Sequence, residues 1–157
     1  MNTVPEVAIH TDSDVLAAAT AARLVTRLVD LQAGGGIPRI GLTGGGVGIT
    51  LLEYIRDSPA RAAVDWSRIE FYWGDERFLP AGDPERNETQ AREALLDHVD
   101  VDPSLVFAMG ADVGRGPAGA DEAAAEYADL LARKARPEDH GDVPAFDVLM
   151  LGMGGEG

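Results

Sequence analysis

Cysteine is absent from the 157 residues, histidine occurs three times, and Lys and Arg together number 13 against 27 Asp and Glu. Without cysteine there is no disulfide and no thiolate metal site, a lack that fits a reducing cytoplasm. No apolar run approaches the ~20 residues that span a bilayer. The opening stretch MNTVPEVAIH has no basic segment ahead of an apolar one, so no secretion signal is read there. A formal net charge of −14 repels nucleic acid and anionic membranes, and neither is expected as a partner. It also repels phosphorylated metabolites, so a ligand of that kind needs a local cluster of donors. No H-x-x-x-H spacing is present and no metal is expected. No G-x-S-x-G elbow is present, which argues against a serine hydrolase. His10, His98 and His140 fall at an expected edge strand, a helix end and a loop. Surface roles are expected for all three.

With 45% hydrophobic and 25% charged residues, the chain has the composition of a soluble globular protein. Its length suits one domain over residues 1–157, and no internal repeat or linker is visible. Strand and helix patterns alternate. EVAIH reads as a short strand, after which Asp12 or Ser13 can cap a helix to about Leu31, with Leu16, Leu24, Leu28 and Leu31 at helical spacing. RIGLTGGG is a strand entering a glycine turn, and VGITLLEYIRD is the next helix. RIEFYWGDER is a third strand. At NETQ, Asn87 can cap a helix to about His98, with Gln90 reaching back. LVFAMG is expected as a fourth, central strand, ADEAAAEYADLLARKAR as a strong helix, and FDVLMLG as the last strand. Such alternation specifies an α/β fold: a three-layer, mostly parallel, Rossmann-like sheet with helices on both faces.

Ligands of such sheets bind beyond the carboxyl ends of the strands. Three strands here end in chemically distinctive residues: TGGG, GDER and GMGGEG. Glycines at Gly44, Gly45 and Gly46 let the backbone approach a ligand, the helix behind them offers free N–H groups, and Thr43 adds a hydroxyl. Together they read as a phosphate seat. The spacing is neither a Walker loop nor a dinucleotide fingerprint, and no nucleotide cofactor is expected. Asp75 can act on a proton or orient a hydroxyl, and Arg77 can hold a phosphate with paired donors. A tight turn and a solvated ion pair are the plainer alternatives for these two stretches.

LTGGG, FYWGDERFLP followed by DPERNETQAREALL, and FDVLMLGMGGEG together resemble, in that order, the 6-phosphogluconolactonases. The resemblance covers essentially all of this chain and the N-terminal part of the family's usual length. It implies the glucosamine-6-phosphate isomerase/6-phosphogluconolactonase fold, incomplete at its C-terminus. It also implies a cytoplasmic, cofactor-free enzyme that hydrolyses 6-phospho-D-glucono-1,5-lactone to 6-phosphogluconate in the oxidative pentose phosphate pathway, expected to be monomeric at full length. Thr43 to Gly46 are similar to the family's sugar-phosphate loop. Asp75 and Arg77 match its Asp-Glu-Arg motif, Asn87 its loop asparagine, and Gly154 falls in its third motif.

That motif reads Gly-x-Gly-x-Asp-Gly-His in the family, and here Glu156 stands in place of the aspartate. The histidine, the family's proposed general base, would follow Gly157. The chain is therefore expected to be either a truncated product or a natural short form, and close to inactive by itself. Two alternatives stand beside the lactonase. One is an amino-sugar-phosphate isomerase/deaminase, whose family usually carries Asp-Glu-Tyr where this chain has Arg77. The other is a non-catalytic sugar-phosphate-binding module.

Overall fold

Four short segments pair side by side, all parallel, in the order β3-β2-β1-β4 in a computed structural model that describes residues 4–154. They are β1 (Arg39–Leu42), β2 (Glu70–Trp73), β3 (Val106–Phe107) and β4 (Val148–Leu149). Parallel neighbours need crossovers. The helices among those connections are α2 (Gly46–Asp57), α3 (Asn87–Ala94) and α4 (Pro117–Lys134), while α1 (Ser13–Ala33) precedes the sheet. The expected α/β class is observed.

The strand period of two decides which layer each side chain joins. In the β1–β2 register Ile40 lies opposite Phe71 and Leu42 opposite Trp73. These four share one core with Leu24 and Leu28 of α1, Leu51, Leu52 and Ile55 of α2, and Ala91 and Ala94 of α3. The alternate pairs, Arg39 with Glu70 and Gly41 with Tyr72, face the other way. There Tyr72 stacks on Phe107 and meets the edge of Phe146, and Lys134 at the end of α4 sits over the Phe107 ring. Helices therefore cover both faces.

Asp12 caps α1 by accepting the Val15 amide at 2.8 Å. The buried stripe of α1 runs through Ala17, Ala21, Leu24, Val25 and Leu28, and the expected Leu16 lies at its exposed margin. Three further expectations are corrected. Residues 6–10 form no strand, and Ile9 is 91% exposed. Their alternation supplies strand character, but strand character is realised only where a neighbour takes up the backbone groups. The LVFAMG strand is reduced to Val106–Phe107 and lies at the sheet edge among the described residues, not in its centre. The reason is Tyr127 of α4, whose hydroxyl accepts the Trp73 amide at 3.1 Å and donates to the Phe107 carbonyl at 2.9 Å. One phenol replaces the next rung of the ladder. Last, α4 begins at Pro117, ahead of the expected ADEAAAEY start.

The amino end of the sheet is closed by charge. The Arg39 guanidinium is buried, lies 3.3 Å from the Glu70 carboxylate, and donates to Asp139 at 2.8 and 2.9 Å. Its backbone amide donates to Asp147 at 2.9 Å. Tyr72 donates to Glu70 at 2.8 Å, and burial, followed by that bond, pushes its phenol well above the usual range. Hydrogen bonding from the Arg136 amide, then from Arg39, holds the Asp139 carboxyl below its ordinary value. A carboxyl lowered in the folded state stabilises the fold above the ordinary carboxylate range, and that contribution is lost as the pH falls through the folded value. Asp139→Asn is therefore expected to lower stability at neutral pH and to flatten the loss of stability below about pH 4. Urea denaturation across the acid range measures both, and parallel wild-type and variant curves would remove Asp139 from the linkage.

Candidate active site

Parallel pairing leaves the carboxyl ends of β2, β1 and β4 adjacent, with β1 in the middle. Two hydrogen bonds extend the pairing past the strands: Gly74 N–H to the Leu42 carbonyl at 3.0 Å, and Met150 N–H to the Gly41 carbonyl at 2.9 Å. The three loops that spring from these ends surround a cleft of about 480 Å³. It is lined by Thr43–Gly45 after β1, by Gly74, Asp75 and Arg77 after β2, by Met150–Gly154 after β4, and by Asn87.

The two helices that start near this edge present opposite electrostatic situations. The N-cap position of helix α2 is Gly45, which has φ +83° and no side chain to cap the helix. Among the described residues, no side chain caps its leading amides, which lie at the positive end of the helix dipole. Helix α3 has Arg86 at its N-cap position, again with no cap hydrogen bond from that side chain. Its first amides are taken instead by a carboxylate from the β2 loop: Glu76 accepts from Asn87 N at 2.6 Å and from Glu88 N at 2.9 Å. One helix end is filled from within the protein; the other receives no side chain among the described residues.

Asn87 is thus not the helix cap that its sequence position implies. It is the first residue inside α3, 1% exposed, and its side chain is used elsewhere. Its Nδ2 donates to the Asp75 carbonyl at 3.0 Å, and its Oδ1 accepts from Arg77 Nη1 at 3.1 Å. Arg77 Nη1 also donates to the Glu85 carbonyl at 3.0 Å. Both bonds use one nitrogen of an otherwise exposed guanidinium, so the rest of the planar fork is available to an anion. Gln90, expected to reach back to the helix start, donates instead to the Pro84 carbonyl at 2.9 Å. Gly44 packs directly against the Asn87 amide, and a Cβ there would overlap Oδ1 and Cγ.

Thr43, Gly44, Gly45, Asp75, Arg77, Asn87 and Gly154 are therefore brought to one cleft. Gly46 is the first residue of α2 and lines an adjoining groove toward Leu16 and Leu51. Glu156 and Gly157 lie outside the described residues. None of His10, His98 and His140 lines the cleft. Sequence reasoning missed the role of Glu76 and the Met150–Leu151 part of the wall after β4. The signal for Glu76 was a helix start with no Ser, Thr, Asp or Asn at the preceding position, which calls for an acceptor from elsewhere in the chain.

The neighbouring glycines are expected to respond differently to substitution. Gly45→Ala meets no atom within 4 Å and suffers only from its positive φ, a cost of about 1 kcal/mol. Gly44→Ala drives a methyl into a buried amide, and about 2–3 kcal/mol is expected, with weakened ligand binding. Thermal denaturation of the two variants measures this, and equal costs would contradict the packing described.

Comparison with known proteins identifies the chain's relatives. The family model for glucosamine-6-phosphate isomerases/6-phosphogluconolactonase matches residues 11–157. A 6-phosphogluconolactonase of Streptomyces coelicolor is 52% identical over 154 residues, which cover 98% of this chain and 59% of that protein. One of Mycobacterium tuberculosis is 46% identical over 95% of this chain and 59% of its own length. Among solved structures, the 6-phosphogluconolactonase of Trypanosoma brucei superposes with a TM-score of 0.80 at 27% identity, covering 96% of this chain and 60% of that one. A monomeric glucosamine-6-phosphate deaminase shares the fold, with a TM-score of 0.65 at 15% identity over 80% of this chain and 49% of that one. The chain spans about three fifths of the length of the curated relatives it matches. By this match, the chain belongs to the glucosamine-6-phosphate isomerase/6-phosphogluconolactonase family.

Proposed function

We propose that the cleft serves the hydrolysis of 6-phospho-D-glucono-1,5-lactone to 6-phospho-D-gluconate. The observation that carries this reading is the placement of Arg77, anchored through one nitrogen on Asn87, in the same cleft as the uncapped N-terminus of α2. A phosphate monoester carries close to two negative charges at neutral pH. On a chain of net charge −14 it requires a concentrated set of donors, and the α2 amides with the free part of Arg77 supply one. The relatives named 6-phosphogluconolactonase support the assignment of the sugar part.

With the phosphate seated there, the lactone ring extends along the cleft toward Asp75 and the Gly152–Gly154 wall. Water adds to the lactone carbonyl, the ring C–O bond breaks, and the ring oxygen takes up a proton. The product is a carboxylate with one proton released. Asp75 is the one carboxylate lining the cleft among the described residues. Its role in this reading is to orient the substrate or the water. The family resemblance assigns the base that activates the water to a histidine of the third motif. Neither a metal nor an organic cofactor enters these steps. We further propose that the enzyme acts in the cytoplasm as a monomer.

Binding separates the seat from the chemistry, because it needs no general base. Arg77→Ala is expected to weaken 6-phosphogluconate binding by about 2 kcal/mol, roughly 30-fold, the scale of a charge-assisted hydrogen bond. Calorimetric titration measures it, and unchanged affinity would remove Arg77 from the site. Reaction type is tested on a full-length version that carries the third-motif histidine, by assaying lactone hydrolysis above its spontaneous rate alongside ammonia release from glucosamine 6-phosphate. The lactonase reading expects activity on the first and none on the second. Comparable ammonia release would assign the site to a deaminase.

A further inference from the structure

The middle residue of the Asp75-Glu76-Arg77 triplet does not line the cleft, yet its side chain makes the most hydrogen bonds of the three. The Glu76 side chain is 4% exposed. Its Oε1 accepts the amides of Arg77 at 2.8 Å and Asn87 at 2.6 Å, and its Oε2 accepts the Glu88 amide at 2.9 Å. Oε2 also lies 3.7 Å from Nη2 of Arg86, whose side chain is 1% exposed. Arg86 is tied in turn to the Met109 carbonyl at 2.9 Å, the Leu79 carbonyl at 3.2 Å and the Glu88 carboxylate at 3.2 Å.

We propose that Glu76 is a positioning residue for the ligand seat, acting through Asn87 on Arg77 and on the glycine loop. Two of the three amides it accepts belong to Arg77 and Asn87, the residues whose side chains meet over the cleft. Fixing those two backbones at one carboxylate sets the distance from which the Asn87 amide can reach the Asp75 carbonyl, Arg77 and Gly44 at once. No freedom remains in that amide: both ends are bonded, and its flank lies on Gly44. A displacement of Glu76 must therefore reach Arg77. A cap that served only the helix would not need to bond the Arg77 amide, which belongs to the preceding loop. The ligand in this inference rests on the proposed function; the positioning itself does not.

Glu76→Gln keeps the shape but replaces one acceptor oxygen with an NH₂ group. Whichever way the amide turns, a donor then faces at least one of the three backbone donors. Glu76→Asp keeps the charge and withdraws it by one methylene. Asp102→Ala serves as a stability control, because Asp102 caps a separate turn by accepting the Ser104 amide. Two measurements are made on the four proteins: the NMR signals of the Asn87 side-chain amide and the Arg77 guanidinium without ligand, and the affinity for 6-phosphogluconate. Glu76→Gln is expected to shift both sets of signals and to weaken binding about tenfold. Glu76→Asp is expected to recover part of each, and Asp102→Ala to change neither. Unmoved Asn87 and Arg77 signals in Glu76→Gln, or unchanged affinity, would overturn the proposal. If Glu76→Gln fails to fold, Glu76→Asp decides: it must shift the Asn87 and Arg77 signals from their wild-type positions, and unmoved signals would overturn the proposal. A wild-type chain that does not bind 6-phosphogluconate would refute the ligand assignment, while the signals without ligand still decide the positioning.

Discussion

The carboxamide of Asn87 rests on the bare Cα of Gly44, and the cleft owes its form to that contact. It joins the loop after β1 to the start of α3, and through the two ends of the same amide it holds the loop after β2. The residue types follow from the geometry. A carboxamide offers a donor to the Asp75 carbonyl and an acceptor to Arg77 from one planar group. Aspartate would lack the donor, leucine would lack both, and any side chain at position 44 would occupy the space of the amide. Buried polar groups of this kind are costly when left partly satisfied and rigid when complete. Here both ends are bonded.

Electrostatics divides the molecule along the strand direction. At the amino end of the sheet, Arg39 is enclosed by Glu70 and Asp139, and the charges are matched inside the protein. At the carboxyl end, α3 receives the Glu76 carboxylate, whereas α2 and part of Arg77 keep their positive character facing the cleft. The same physical device, an anion at a helix N-terminus, is used once for structure and left open once for a ligand. In a chain with 27 acidic residues, such a local opening marks where an anion can approach.

Features governed by local periodicity were legible in the sequence. The cap of α1, the glycine turn into α2, β1 and β2 with their alternation, and the gathering of TGGG and GDER at one sheet edge all follow from spacing and turn chemistry. Features governed by distant partners were not legible. Asn87 obeys the local rule for a helix cap, yet the cap comes from Glu76 across the loop, which frees Asn87 for the cleft. The fourth strand reads as long, but the Tyr127 hydroxyl takes its next rung. EVAIH has the composition of a strand and no neighbour to pair with among the described residues. These three corrections share an origin: a hydrogen-bonding group was claimed, or left unclaimed, by a residue outside its own element.

The most direct measurement is a double-mutant cycle between positions 44 and 87, read by reversible denaturation. If the Gly44–Asn87 contact organises the cleft, Gly44→Ala should cost much less in an Asn87→Ala background, because the methyl then has room. The expected coupling is at least ~1 kcal/mol in favour of the double variant. Strictly additive costs would contradict the account, because they would mean that the two loops are held in place independently.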